Sequence, residues 1–191
     1  MTDVIDGQTQ SRDSVLRELE GGTLVITLNR PDAANALRPD DRNELIRLLE
    51  EAGGDPEVRV VILRANGRHF CAGADVARLS GDRAAKTKRV TGAMHTIMTG
   101  AQRLIAAVLD CPKPVIAVVQ GAAAGIGAHL AYASDLVVAT EDAYFAESFV
   151  KRGLVVDGGG AYLLPRRIGM QRAKELVFFG EKLSAQDAFD L

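Results

Sequence analysis

An α/β fold with mostly parallel strands is what this sequence predicts, and three observations carry it. Two strand-like runs, Val15 to Glu20 and Leu24 to Asn29, flank Gly21-Gly22 and read as a β-hairpin with a glycine turn. After them, apolar runs of strand length alternate with longer segments of helical pattern, the signature of parallel crossovers. Two strand-to-helix junctions are built almost wholly from Gly and Ala, at His69 to Val76 and at Gln120 to Gly127.

The elements follow in order. Pro31 stops the second hairpin strand, and Pro39 opens a helix that runs to about Ala52 with Leu45, Ile46, Leu48 and Leu49 on its apolar stripe. Gly53-Gly54-Asp55-Pro56 ends it, and Val58 to Leu63 reads as a buried strand. The charge-rich stretch from Gly81 to Met98 has weak periodicity and is expected to be mobile. A helix from about Met98 to Leu109 stops before Pro112 and Pro114. Val115 to Val119 is a strand, Ile126 to Ala133 a helix and Leu136 to Ala139 a strand, with Tyr144-Phe145 starting a short further one. Gly158-Gly159-Gly160 precedes a helix; Gln171 to Phe179 and the segment from Ser184 are two more, Ser184 serving as N-cap with Asp187 three residues on.

Composition narrows the function classes. The chain has 191 residues, 47% hydrophobic and 25% charged, with net charge −2. That is a globular composition, long enough for one domain. Acids and bases are interspersed, so no nucleic-acid surface stands out, and the basic clusters Lys86 to Arg89 and Arg166-Arg167 read as a solvated face or a phosphate contact. Two cysteines make no disulfide framework, and no His, Asp, Glu or Cys grouping has metal-ligand spacing, so no metal is expected. The first 14 residues are polar, without a signal-peptide core, and are expected to be flexible. Pro114 to Ala139 is interrupted by Gln120, His129 and Asp135, which argues against a membrane span and, with the reduced thiols, for a cytoplasmic protein.

The chemistry points to the two Gly/Ala turns. Each leaves backbone N–H groups uncovered at a strand-to-helix junction, where partial positive charge collects. Brought together, two such turns would hold one developing oxyanion.

Three motifs resemble those of the crotonase family, the enoyl-CoA hydratase/isomerase superfamily. They are Leu28-Asn29-Arg30-Pro31 with Asn35-Ala36-Leu37, then Phe70 to Val76, then Gln120 to Asp135 followed by Gly153 to Gly159. The resemblance covers Val15 to Leu191 and implies a right-handed spiral of repeated ββα units, assembled as a trimer or dimer of trimers. It implies an oxyanion hole from the N–H groups of Ala74 and Ile126, polarising a thioester carbonyl. It also implies contacts from Ala34, Ala36, Asp75 and Val76 to coenzyme A, which arrives as part of the acyl-CoA substrate rather than as a resident cofactor. Arg30 is a candidate phosphate partner. Relative to the family, the chain stops before the C-terminal helices, leaving Leu176, Phe178 and Phe179 short of a covering partner.

The sequence departs from the family where hydratases carry two catalytic glutamates. Those positions hold His129 and Phe149. Phenylalanine carries no proton, so two-carboxylate hydration is not expected. Glu147, two residues earlier, shares a face with Phe149 only if the segment is extended, and the turn beyond breaks that register. Asp157 is the better candidate, standing where family isomerases place a catalytic aspartate, although an Asp before three glycines also suits a helix cap. His129 would assist it or be a buried polar residue. The expected activity is enoyl-CoA isomerisation; hydration through His129 and Asp157, or a silent CoA-thioester binder, are the alternatives.

Overall fold

A computed structural model describes residues 13–75, 94–95 and 97–191. Val76, most of the segment expected to be mobile, and residues 1–12 of the N-terminal segment therefore lie outside the described residues, as does the basic cluster 86–89. Strands β1 (Val15–Glu20) and β2 (Thr23–Leu28) form the expected antiparallel hairpin, with Glu20 opposite Thr23. β2 then pairs in parallel with β3 (Val60–Ala65), β3 with β4 (Val115–Val119), and β4 with β6 (Leu136–Ala139), giving a five-stranded sheet in the order β1-β2-β3-β4-β6. A second sheet has the order β5-β7-β8, from Ala122–Ala124, Tyr144–Ala146 and Lys182–Ser184. β5 lies inside the Ala run that reads as loop, and β8 is likewise a strand the sequence did not signal.

Helix α1 (Pro39–Gly54) begins at proline, as expected, and Leu45, Ile46, Leu48 and Leu49 are buried. They pack over Leu24, Ile26, Val61 and Val115 of the sheet, alternate residues of strands whose other face looks away. Helix α2 (Arg103–Leu109) completes this layer with Leu104, Ile105 and Val108, and is entered through a π-helical turn, Ile97–Gln102. Helices α3 (Ile126–Ala133), α4 (Gly160–Ile168), α5 (Met170–Phe179) and α6 (Ala185–Asp190) follow. The Ser184 hydroxyl caps α6 by accepting the Asp187 N–H at 3.0 Å. β3 starts two residues later than expected, because the Arg59 and Val60 amides both turn to the Gly22 carbonyl and Val58 closes a turn on Asp55. Leu176 is buried after all, by packing of α5 on α4, whereas Phe178 and Phe179 are exposed.

A buried carboxylate locks the start of α1. Asp41 is 2% exposed and accepts hydrogen bonds from Ser14 Oγ (2.5 Å), the Arg38 amide (2.8 Å) and the Arg38 guanidinium (2.8 Å). Burial alone would raise this carboxyl; the Arg38 and Ser14 hydrogen bonds outweigh it and bring it down to about 2. A group depressed on folding stabilises above its unfolded value and stops doing so as pH falls through its folded one. About 2 kcal/mol of stability is therefore expected to disappear between roughly pH 4 and pH 2. Urea midpoints at pH 5 and pH 2.5 check this, since the Asp41→Asn variant should lack that component.

Candidate active site

The candidate site forms where two loops far apart in sequence are stitched together. The Phe70 amide donates to Gln120 O (2.8 Å), Cys71 to Ala122 O (3.0 Å) and Ala124 to Cys71 O (2.9 Å). The two Gly/Ala turns thus lie side by side. On the outer edge, the Leu37 amide donates to Gly73 O (2.8 Å) and Asp75 to Leu37 O (3.0 Å), a one-residue parallel bridge. Ala74 sits between those two bonds, so its own N–H points to the opposite side. Ile126 is the first residue of α3, where an amide has no intrahelical acceptor.

The residues expected to meet coenzyme A share one rim. The Ala72 amide donates to Ala34 O (2.9 Å), which brings Ala34 and Ala36 beside Ala74 and Asp75. Ala34 and Asn35 both adopt left-handed backbone, at φ 48° and 55°, unusual for residues with a Cβ. Asn35 holds this conformation from below: it is buried, accepts the Arg30 amide (2.7 Å), and donates to Asn66 O (2.9 Å) and His69 O (2.7 Å). Asn35→Ala is expected to cost about 3 kcal/mol, one for each lost hydrogen bond, measurable as a lowered urea midpoint. Arg30 also serves the rim from within. Its guanidinium donates to Ala36 O (2.6 Å) and pairs with Asp75 (3.0 Å), with Asp41 at 3.5 Å. That makes it a clamp on the loop, with its donors largely committed to protein acceptors.

Across the site lies α3. His129 is wholly buried, and its Nε2 stands 3.1 Å from Oε2 of Glu147, itself 1% exposed. The second ring nitrogen, Nδ1, and the second carboxyl oxygen of Glu147, Oε1, are both buried without a hydrogen-bond partner among the described residues. Phe149 stacks on the imidazole, ring centroids 5.7 Å apart and planes within 7°. The segment is extended through β7 and turns just after Glu147, so Glu147 and Phe149 meet the same imidazole, one at its edge and one on its face. Sequence reasoning preferred Asp157 over Glu147 and missed this partnership. The signal was an acid one residue beyond an apolar strand end, as close to His129 as Phe149.

Asp157 precedes α4 on a turn through Gly158 and Gly159, at φ 54° and 90°. It does not cap that helix, which has no side-chain cap. The imidazole of His129 fills the space a side chain at Gly160 would need, since a Cβ there would lie 2.2 Å from Nε2. Half-buried, Asp157 has its carboxyl pushed above the ordinary range by burial, against the pull of His129 and Arg42. Arg42 on α1 is a second residue the sequence reading passed over. It stands at i−3, i−4 and i−7 from Leu45, Ile46 and Leu49, a charge on an apolar stripe.

Other groups do not join the site. Arg167 donates to Tyr132 O (2.9 Å) and Ser134 O (2.9 Å), closing the C-terminal end of α3, and Arg166 lies over the Tyr162 ring. Burial pushes the Cys71 thiol up to about 12, which leaves it inert as a nucleophile. Among the described residues no group of three His, Cys, Asp or Glu could hold a metal, and no helix is long and apolar enough to cross a membrane.

Comparison with known proteins gives a concordant result. The family model for enoyl-CoA hydratase/isomerase matches residues 18–191. A probable enoyl-CoA hydratase of Rhodobacter capsulatus is 40% identical over 178 residues, 93% of this chain and 66% of its own length. The 1,2-epoxyphenylacetyl-CoA isomerase of Escherichia coli is 36% identical over 180 residues, 92% of this chain and 66% of its own length. The crystal structure of an enoyl-CoA hydratase from Polaromonas sp. JS666 superposes with a TM-score of 0.84 at 39% identity, covering 92% of this chain and 67% of that one. The crotonase-like fold expected from the motifs is therefore the fold of the chain. The chain spans 66% of the length of these curated relatives.

Proposed function

The chain belongs to the enoyl-CoA hydratase/isomerase family, and from that premise we propose that it binds an acyl-CoA thioester and moves the double bond of its acyl chain. The thioester oxygen is received by the N–H groups of Ala74 and Ile126. Coenzyme A lies along the rim of Ala34, Ala36 and Asp75. Asp157 removes a proton from one carbon, the pair of amides holds the resulting enolate, and the same carboxyl returns the proton two carbons away. Two amide donors aimed at the oxyanion are worth about 3 to 4 kcal/mol each when removed singly.

The observation that carries isomerisation over hydration is the stack of Phe149 on His129. Adding water across a double bond calls for one group to activate water and another to protonate carbon. Here the second position is an aromatic ring, and Glu147 is sealed behind the imidazole. Asp157 remains, and one carboxyl suffices for a proton shift within one substrate. Assembly into a trimer or a dimer of trimers belongs to the same reading, supported by the exposed apolar Leu136, Val137 and Val138, and light scattering tests it.

The deciding experiment incubates a 3-enoyl-CoA and a 2-enoyl-CoA separately in H₂¹⁸O and follows both by mass spectrometry. Migration of the double bond without ¹⁸O supports isomerisation. A product carrying ¹⁸O replaces it with hydration. Intact thioester binding with neither product replaces it with a silent binder.

A further inference from the structure

We propose that His129 is a positioning residue: its imidazole is the mould against which the turn carrying Asp157 is shaped, and Glu147 and Phe149 hold that mould in place. The inference rests on the reading of Asp157 as the proton-moving group, and it gives His129 a part in the reaction through its shape.

The three glycines after Asp157 fit around neighbours that leave little room for side chains. A Cβ on Gly158 would lie 3.1 Å from His129 Nδ1 and 3.7 Å from Ala101 Cβ. One on Gly159 would lie 3.2 Å from Ile105 Cγ2. One on Gly160 would overlap Nε2 of the imidazole and lie 2.6 Å from its Cε1. The turn is thus wedged between His129 on α3 and the side chains of Ala101 and Ile105. Gly158 and Gly159 are also required by their left-handed backbone. Gly160 is different: its φ is not positive, and it opens α4, where alanine is the better helix former. The atoms nearest to a Cβ there all belong to the imidazole, so His129 is what excludes a side chain. The Gly160 amide closes the turn by donating to Asp157 O at 3.0 Å. Whatever sets the place of Gly160 therefore sets the place of Asp157.

A mould must itself be fixed, and this one is held on two sides. Glu147 Oε2 meets the imidazole edge at 3.1 Å, and Phe149 covers a face with its plane within 7°. Phe149 also packs beside Gly125, where a Cβ would lie 3.7 Å from its ring. An unbroken line of contacts therefore runs from the residue before Ile126, through two stacked rings, to the turn of Asp157. The oxyanion amide and the carboxyl are spaced by packed rings, which resist compression. That spacing matters because a displacement of about 1 Å in a reacting group can cost about 10²-fold in rate. Nothing in this role asks His129 to carry a proton; that task stays with Asp157.

The test is an exchange of size. Gly160→Ala should lower kcat for double-bond migration by about 10²-fold with KM within about twofold of the parent. Adding His129→Asn withdraws the ring and should recover about tenfold, so a change expected to harm the parent improves the variant. The amide ¹H–¹⁵N signals of Gly158 and Gly159 give a reading independent of activity. They should move in Gly160→Ala and return toward their parent positions in the double variant. A parent rate in Gly160→Ala, a loss confined to KM, or a double variant no faster than Gly160→Ala overturns the inference. Should Gly160→Ala not fold by circular dichroism, Phe149→Leu loosens the imidazole without touching the turn. It should move the same amides and lower kcat by about tenfold, and unmoved amides there overturn the inference. Amides that move and return in a protein that does not isomerise enoyl-CoA would support the mould and remove the proposed reaction. Unmoved amides in an active isomerase would do the reverse.

Discussion

Asp157→Asn is expected to lower kcat for double-bond migration by about 10² to 10⁴, the span ordinarily lost with a positioned general base. The amide is nearly the same size and keeps the turn, because the shape of that turn comes from Gly158, Gly159 and the Gly160 amide bonded to Asp157 O at 3.0 Å rather than from the side chain. What disappears is the ability to carry a proton. Thioester affinity should hold, since the rim proposed for coenzyme A is formed by other loops, Ala34 to Leu37 and Ala72 to Asp75. A rate within an order of magnitude of the parent would remove Asp157 from the chemistry. Weakened binding at an unchanged rate would place it in the substrate contact instead.

Gly127→Ala is expected to be strongly damaging although it looks conservative. Helix propensity alone favours it, since alanine inside a helix is about 1 kcal/mol better than glycine. Sterics reverse the sign. Gly127 lies in the first turn of α3, and a Cβ there would fall 2.3 Å from Cys71 O and 2.7 Å from Cys71 Cβ. The obstacle is backbone of the other loop, which cannot swing aside as a side chain does. Overpacking of this kind costs about 3 kcal/mol, so the net loss is about 2 kcal/mol or more and a fall of roughly 5 °C or more in Tm. The lost activity should exceed what stability explains, because the clash drives apart the two loops that present Ala74 and Ile126. A variant that melts at or above the parent temperature would show that the loops have slack.

Much of the framework was legible because it rests on local signals. The glycine pair between two apolar runs defined the hairpin, Pro39 the start of α1, and the Ala-rich stretch after Gly125 the buried α3. The misses share a physical cause. β5 is three alanines, with no β-branched or aromatic residue to mark it, and it is extended because Cys71 and Tyr144 lie on either side of it. β8 is likewise made by its neighbour, pairing Leu183 with Phe145. The same holds in the site. Asp157 and His129 stood out by their place in the motifs, whereas Glu147 acquires its role from an imidazole 18 residues upstream and Arg42 from a helix packed over the sheet. Pairings that depend on a third element leave no periodicity to read.

The order of the sheet also fixes a timetable. Among the described strands only the hairpin pairs across a two-residue turn; Thr23 must find Val60, Val61 must find Val115, and Ile116 must find Leu136. Each closure loses chain entropy before it gains contacts, which makes parallel sheets slow to form. The bridge from Cys71 to Ala123 rests on the closure of β3 onto β4, since its two loops follow those strands. The candidate site thus depends on long-range pairing rather than on any local segment, and no fragment ending before β4 carries both of its loops.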